Sequence, residues 1–144
     1  MKYAKVIDHT ADVGLEVFGS RLPELFEAAA DGLFSLQSNV DDVEPQEKRI
    51  VTVEGSDLPD LLVTWLSELT YLHETEGLLF RSATVTRLDE EAGHLEAEVA
   101  GEPYDSARHS IRAAIKAVTY HDLNIRPTSY HGTKGYAARI ILDV

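Results

Sequence analysis

Cysteine is absent from all 144 residues. That excludes disulfides and thiolate metal sites, so any metal must be held by oxygen or imidazole. Long apolar runs are missing too: nothing approaches the ~18 consecutive apolar residues of a membrane helix. The opening residues, Met1-Lys2-Tyr3-Ala4-Lys5-Val6, carry neither the apolar core nor the cleavage site of a signal peptide. The simplest expectation is a cytoplasmic protein with no membrane partner. Positive charge is scarce, with 13 Lys and Arg against 25 Asp and Glu and a net charge of −12. Affinity for phosphate backbones comes mainly from Lys and Arg, so direct nucleic-acid binding is not expected. An acidic surface can instead steer association with a basic protein, or simply keep the chain soluble. The signatures of several reaction centres are also lacking. There is no Gly-x-Ser-x-Gly elbow, no Walker or Gly-x-Gly-x-x-Gly loop and no His-Glu-x-x-His. No catalytic residue is therefore assigned.

What is present suits one domain spanning residues 1–144, long enough to bury a core, with an ordinary hydrophobic content of 44%. Two segments echo each other. Val17-Phe18-Gly19-Ser20-Arg21-Leu22-Pro23-Glu24-Leu25-Phe26 parallels Val53-Glu54-Gly55-Ser56-Asp57-Leu58-Pro59-Asp60-Leu61-Leu62. Each begins with an alternating strand, Val13/Leu15/Val17 or Val51/Val53, and breaks at Gly-Ser. Ser20 and Ser56 (or Asp57) are the candidate helix caps, and Pro23 and Pro59 fall in the first turn, where a missing N–H costs little. Leu22, Leu25, Phe26, Ala29, Leu33 and Leu36 keep helical spacing, as do Leu58, Leu61, Leu62, Trp65, Leu69 and Leu72. After Gly77 the pattern becomes alternation. It predicts strands over 79–88 and around Leu95/Ala97/Val99, joined by a hairpin loop over 89–93. A closing hairpin is predicted from Leu123–Tyr130 and Tyr136–Val144. Residues 110–118 fit helix and strand equally. The expected fold is α+β: mainly antiparallel sheet with two amphipathic helices in the N-terminal half.

Chemistry concentrates in polar runs set between these strands. Asp12 follows a short strand and precedes Gly14, which permits close backbone approach; alone it reads as a turn-capping residue beside a structural His9. Asp143 changes that balance, because a carboxylate at the end of an apolar strand is costly if buried unpaired. With the main-chain carboxylate of Val144 beside it, the strand end offers several hard oxygens to one point. His9, His109 and His121 are the imidazole candidates, while His73, His94 and His131 are expected at the surface. Lys116, between Ile115 and Ala117-Val118, either snorkels to solvent or binds a phosphate or a partner carboxylate. Glu102, Asp105 and His109 form a second polar cluster whose spacing reads as loop capping.

These runs resemble the archease family: Asp8-His9-Thr10-Ala11-Asp12-Val13-Gly14, then Gly101-Glu102 with Asp105 and Arg108-His109. Ile115-Lys116-Ala117-Val118-Thr119-Tyr120-His121 and Leu142-Asp143-Val144 complete the set in order. The resemblance spans essentially the whole chain, and none of the motif positions departs from the pattern. It implies a non-catalytic activator of the RtcB-type ligase that joins tRNA halves in tRNA splicing. Such a protein promotes guanylylation and multiple turnover of the ligase and broadens its nucleotide use. The family's metal site would map onto Asp12, Asp143 and Val144 and would suit calcium, magnesium or manganese. His9, Glu102, His109, Lys116 and His121 would contact the partner or support the site. Two other classes remain open. A stand-alone metal-dependent hydrolase would use His9 or His121 as base; a chaperone-like module would use the metal only to stabilise the strand ends.

Overall fold

The structure is a computed structural model that describes residues 1–9 and 12–144, with side chains for all of these except Asp8 and His9. Thr10 and Ala11 of the His-Thr-Ala-Asp run, and the His9 side chain, therefore lie outside the described residues. In chain order the elements are β1 (Lys2–His9), β2 (Asp12–Gly19), α1 (Leu22–Gln37), a 3-10 turn (Val40–Asp42), β3 (Glu47–Glu54) and α2 (Leu58–Glu76). The second half adds β4 (Leu78–Asp89), β5 (His94–Pro103), β6 (Ala117–Val118), β7 (Arg126–Tyr130) and β8 (Thr133–Asp143). Two sheets form. One runs β1-β2-β8-β6 with β7 also on β8, the other β3-β5-β4, and every pairing is antiparallel. This is the expected α+β domain.

The echo between the two strand-helix units has a physical cause. A Cβ on Gly19 would lie 2.2 Å from the Leu25 nitrogen, and one on Gly55 2.5 Å from the Leu61 nitrogen. At both junctions the first turn of the helix folds back onto the end of the strand, and only glycine leaves room. The first turns then close alike, Leu25 N–H on the Arg21 carbonyl (3.1 Å) and Leu61 N–H on that of Asp57 (2.9 Å). The serines act differently from the caps expected of them. Asp57 caps α2 by accepting the Asp60 N–H at 2.8 Å, whereas Arg21 occupies the cap of α1 without a side-chain bond. Ser20 and Ser56 instead donate their hydroxyls to Glu24 and Asp60, the carboxylates four residues on.

Both helices bury their apolar stripes between the sheets. α1 lies on β1, β2, β4 and β8, α2 on β3, β4, β5 and β6, and the helices touch each other. Trp65 of α2 is fully buried, and its indole N–H donates to the Phe26 carbonyl of α1 at 3.0 Å. Leu15 packs against α1 at Gly32. Because side chains alternate along a strand, Asp12, Gly14, Glu16 and Phe18 belong to the opposite face of β2, away from the helices.

The ambiguous region resolves as neither helix nor full strand. Residues 104–116 form an irregular strap, fastened by a lone bridge between Ser38 and Ile111, and only Ala117–Val118 pair as strand. The closing hairpin is tighter than expected, turning at His131-Gly132 with β7 beginning at Arg126. Pro127 sits in β7, at the sheet edge where a missing N–H is tolerated.

Candidate functional site

The strand register assembles the three motif runs at one end of the larger sheet. Asp12 on β2 is the direct cross-strand partner of Asp143 on β8, and Asp143 pairs on its other side with Ala117 of β6. The Lys116 N–H donates to the Asp143 carbonyl at 2.8 Å, and Thr119 bonds Ile141 through both its N–H and its hydroxyl at 3.0 Å. Residues more than a hundred positions apart thus share one strand end. Both aspartates are half-buried and Val144, next in line, is exposed. Directly opposed residues on neighbouring strands hold their Cβ atoms about 4.5–5.5 Å apart, and like charges there are destabilising. The arrangement suits a cation between the two carboxylates. Among the described residues no three or more Asp, Glu or His side chains converge as a ready-made cage. The oxygen set available is the two aspartates and the main-chain oxygen of Val144.

Lys116 is exposed beside this strand end and lines a groove of about 140 Å³ with Ser67, Tyr71 and Glu74 of α2. His121 is exposed as well, its ring 3.2 Å from the Asp122 carboxylate. Its loop is pinned by a contact that sequence reading had not anticipated. The Tyr120 hydroxyl donates to Asp60 at the start of α2, at 2.6 Å. That bond holds the Asp60 carboxyl below its usual range and raises the phenol. Sixty positions separate the pair, and each fits a simpler local role, so no sequence signal marked it.

Glu102 lies elsewhere, at the end of β5 in the three-stranded sheet, with His109 of the strap against it. Both are buried, 3% and 4% exposed. The Glu102 carboxylate accepts the Glu44 N–H at 2.6 Å, two guanidinium bonds from Arg108, and His109 Nε2 at 3.0 Å. His109 Nδ1 accepts the Asp105 N–H at 2.9 Å, which places the ring proton on Nε2, facing the carboxylate. Glu102 therefore has a partner on each side. It locks the start of the strap, whose other end carries Lys116 to Asp143. Arg108 is the member of this cluster that spacing alone had not placed in it.

The Glu44 N–H bond, aided by His109 and Arg108 and opposed by desolvation, keeps the Glu102 carboxyl below the ordinary range. A depressed folded value means the unfolded chain binds the proton first. The network's contribution is thus complete above about pH 5 and is lost as pH falls through the normal glutamate range toward the folded value. Urea melts from pH 7 to pH 3 should show Glu102→Gln less stable than the parent at pH 7. The difference should shrink steadily on acidification; a constant gap would contradict the network.

The structure is thus a small acidic α+β domain with paired aspartates at one strand end. The chain belongs to the Archease protein family (MTH1598/TM1083), which it matches over residues 5–144. It is 44% identical over 126 residues to "Protein archease" of Pyrococcus abyssi, covering 87% of this chain and 89% of that one. It is 34% identical over 145 residues to the protein of that name from Methanosarcina barkeri, covering 99% and 97%. The solution structure of Methanobacterium thermoautotrophicum protein 1598 superposes with a TM-score of 0.78 at 33% identity, over 98% of both chains. No helix among the described residues is long and apolar enough to cross a membrane.

Proposed function

We propose that this chain is a non-catalytic activator of an RtcB-type tRNA-splicing RNA ligase. It would promote guanylylation and multiple turnover of the ligase, and broaden its nucleotide use, through a divalent-metal site. The observation that carries the reading is the cross-strand register of Asp12 and Asp143, on the sheet face turned away from the helices. Asp12, Asp143 and the main-chain oxygen of Val144 would hold the ion, and hard oxygen donors suit calcium, magnesium or manganese. When bound, the ion supplies positive charge that neutralises the carboxylate pair and attracts phosphate oxygens. Lys116 adds an exposed cation beside the same strand end. The Glu102–Arg108–His109 lock holds the strap that delivers it.

A chain of net charge −12 is complementary to a basic, RNA-handling enzyme. Activation then requires tighter binding to the ligase conformation competent for guanylyl transfer than to the resting one. Family membership and the shared motif order support the partner, and a cytoplasmic setting accords with it. The direct test is guanylylation of the cognate ligase with labelled GTP and manganese. Faster formation of the ligase–GMP adduct when this protein is added is the expected result. An unchanged rate with both proteins folded removes the proposal.

A further inference from the structure

Asp143 is the last residue of β8, and its main chain is held from two sides. On one side lies Asp12, the first residue of β2; on the other lies β6, which has two residues, Ala117 and Val118. A strand that short cannot hold its own place, so its position depends on what surrounds it. Three bonds join the segment around it to β8. The Lys116 N–H donates to the Asp143 carbonyl at 2.8 Å, and the Thr119 N–H and hydroxyl both donate to the Ile141 carbonyl at 3.0 Å. Side chains alternate along the segment. Ala117 shares the sheet face of its partner Asp143, whereas Lys116 and Val118 line the groove with Ser67 and Tyr71 of α2. Tyr120, in step with those two, reaches Asp60 at the start of α2, its hydroxyl 2.6 Å from the carboxylate. Asp60 is itself anchored: its other oxygen accepts the Ser56 N–H at 2.9 Å and the Ser56 hydroxyl at 3.2 Å. The phenol therefore ends on a fixed, charged acceptor, the stronger kind of hydrogen bond.

We propose that the Tyr120–Asp60 bond is a latch that positions the Asp12/Asp143 ion site. It holds residues 116–120 against α2, the main chain of that segment holds the end of β8, and Asp143 is thereby kept opposite Asp12. Tyr120 and Asp60 are positioning residues, acting on the carboxylate pair through main-chain bonds. The inference rests on the divalent-ion reading given above. Ion ligands work only when the groups around them hold them to within about 0.5 Å of the right geometry. Losing a partner bonded directly to a ligand commonly lowers metal affinity about 10–100-fold. The latch acts one step further out, so its loss should weaken ion binding about three- to tenfold.

Two measurements on the full chain test this, with Tyr120→Phe as the variant. The first is amide hydrogen exchange by NMR without metal. The Lys116 and Thr119 amides, which donate to β8, should exchange about threefold faster or more in the variant, while those of the three-stranded sheet keep their rates. The metal-free melting temperature should stay near the parent's, because the Tyr120 side chain is exposed. The second is calorimetric titration with calcium and with manganese, in which the variant should bind about three- to tenfold more weakly. Asp60→Ala should weaken binding too, and adding Tyr120→Phe to it should cost nothing further, as expected of two residues acting through one bond. Arg49→Ala, which removes an exposed bond from β3 to the other end of α2, should titrate like the parent. Unchanged exchange at Lys116 and Thr119 overturns the latch, and so does equal ion affinity when both proteins bind. A parent that takes up neither ion overturns the ion reading and this inference with it; the exchange rates, measured without metal, tell that failure from failure of the latch.

Discussion

Asp12→Ala is expected to return RNA ligation to the rate of the ligase alone while the variant stays folded, and Asp143→Ala to do the same. Both changes remove a hard oxygen from a pair that the register places directly opposite each other, so neither aspartate can substitute for the other. The effect of Asp143→Ala on stability without metal should be small, within about 1 kcal/mol, because the position is half-buried. Thermal melts with added calcium or manganese give a second readout. The parent should melt higher with the ion, by the linkage between binding and folding, and Asp143→Asn should not respond. A folded Asp12→Ala protein that activates normally would show that the carboxylate pair has no part in activation.

Trp65→Ala is expected to be the most damaging core substitution. The indole is fully buried where the helices meet, and its N–H is bonded to the Phe26 carbonyl. Truncation leaves a large cavity and an unsatisfied carbonyl, costing about 3–5 kcal/mol. For a domain of this size that lowers the melting temperature by roughly 10–15 °C. Trp65→Phe, which keeps most of the volume and loses the hydrogen bond, should fall between. Differential scanning calorimetry checks the order, and equal melting temperatures for all three proteins would contradict the packing described.

Much of this architecture was legible in the chain because it rests on local periodicity. Helical spacing and first-turn prolines located α1 and α2, and alternation located β3, β4, β5 and β8. The Gly-Ser echo proved to be a steric requirement at Gly19 and Gly55, which a linear reading detects only as similarity. The strap over 104–116 was not legible. Its conformation is set by long-range bonds, above all those of Glu102 with Glu44, Arg108 and His109, and no local spacing encodes them. For the site, the motif order marked Asp12 and Asp143 as candidates, but only the register of β2 on β8 explains why a pair 131 positions apart shares one strand end. Glu102 and His109 lie away from that strand end, Glu102 on β5 of the other sheet and His109 on the strap.

Net charge was the least informative quantity. A total of −12 argues against RNA as a partner, yet it averages an acidic body and a basic C-terminal stretch. The acidic part is the one that the proposed basic partner enzyme would meet.

The central claim is therefore tested most directly by multiple-turnover RNA ligation. The cognate RtcB-type ligase, GTP and manganese are held constant, and this protein is added in substoichiometric amount. The account predicts a clear rise in the number of ligations per ligase, lost with Asp12→Ala. An unchanged turnover number, with both proteins folded and metal present, would contradict it.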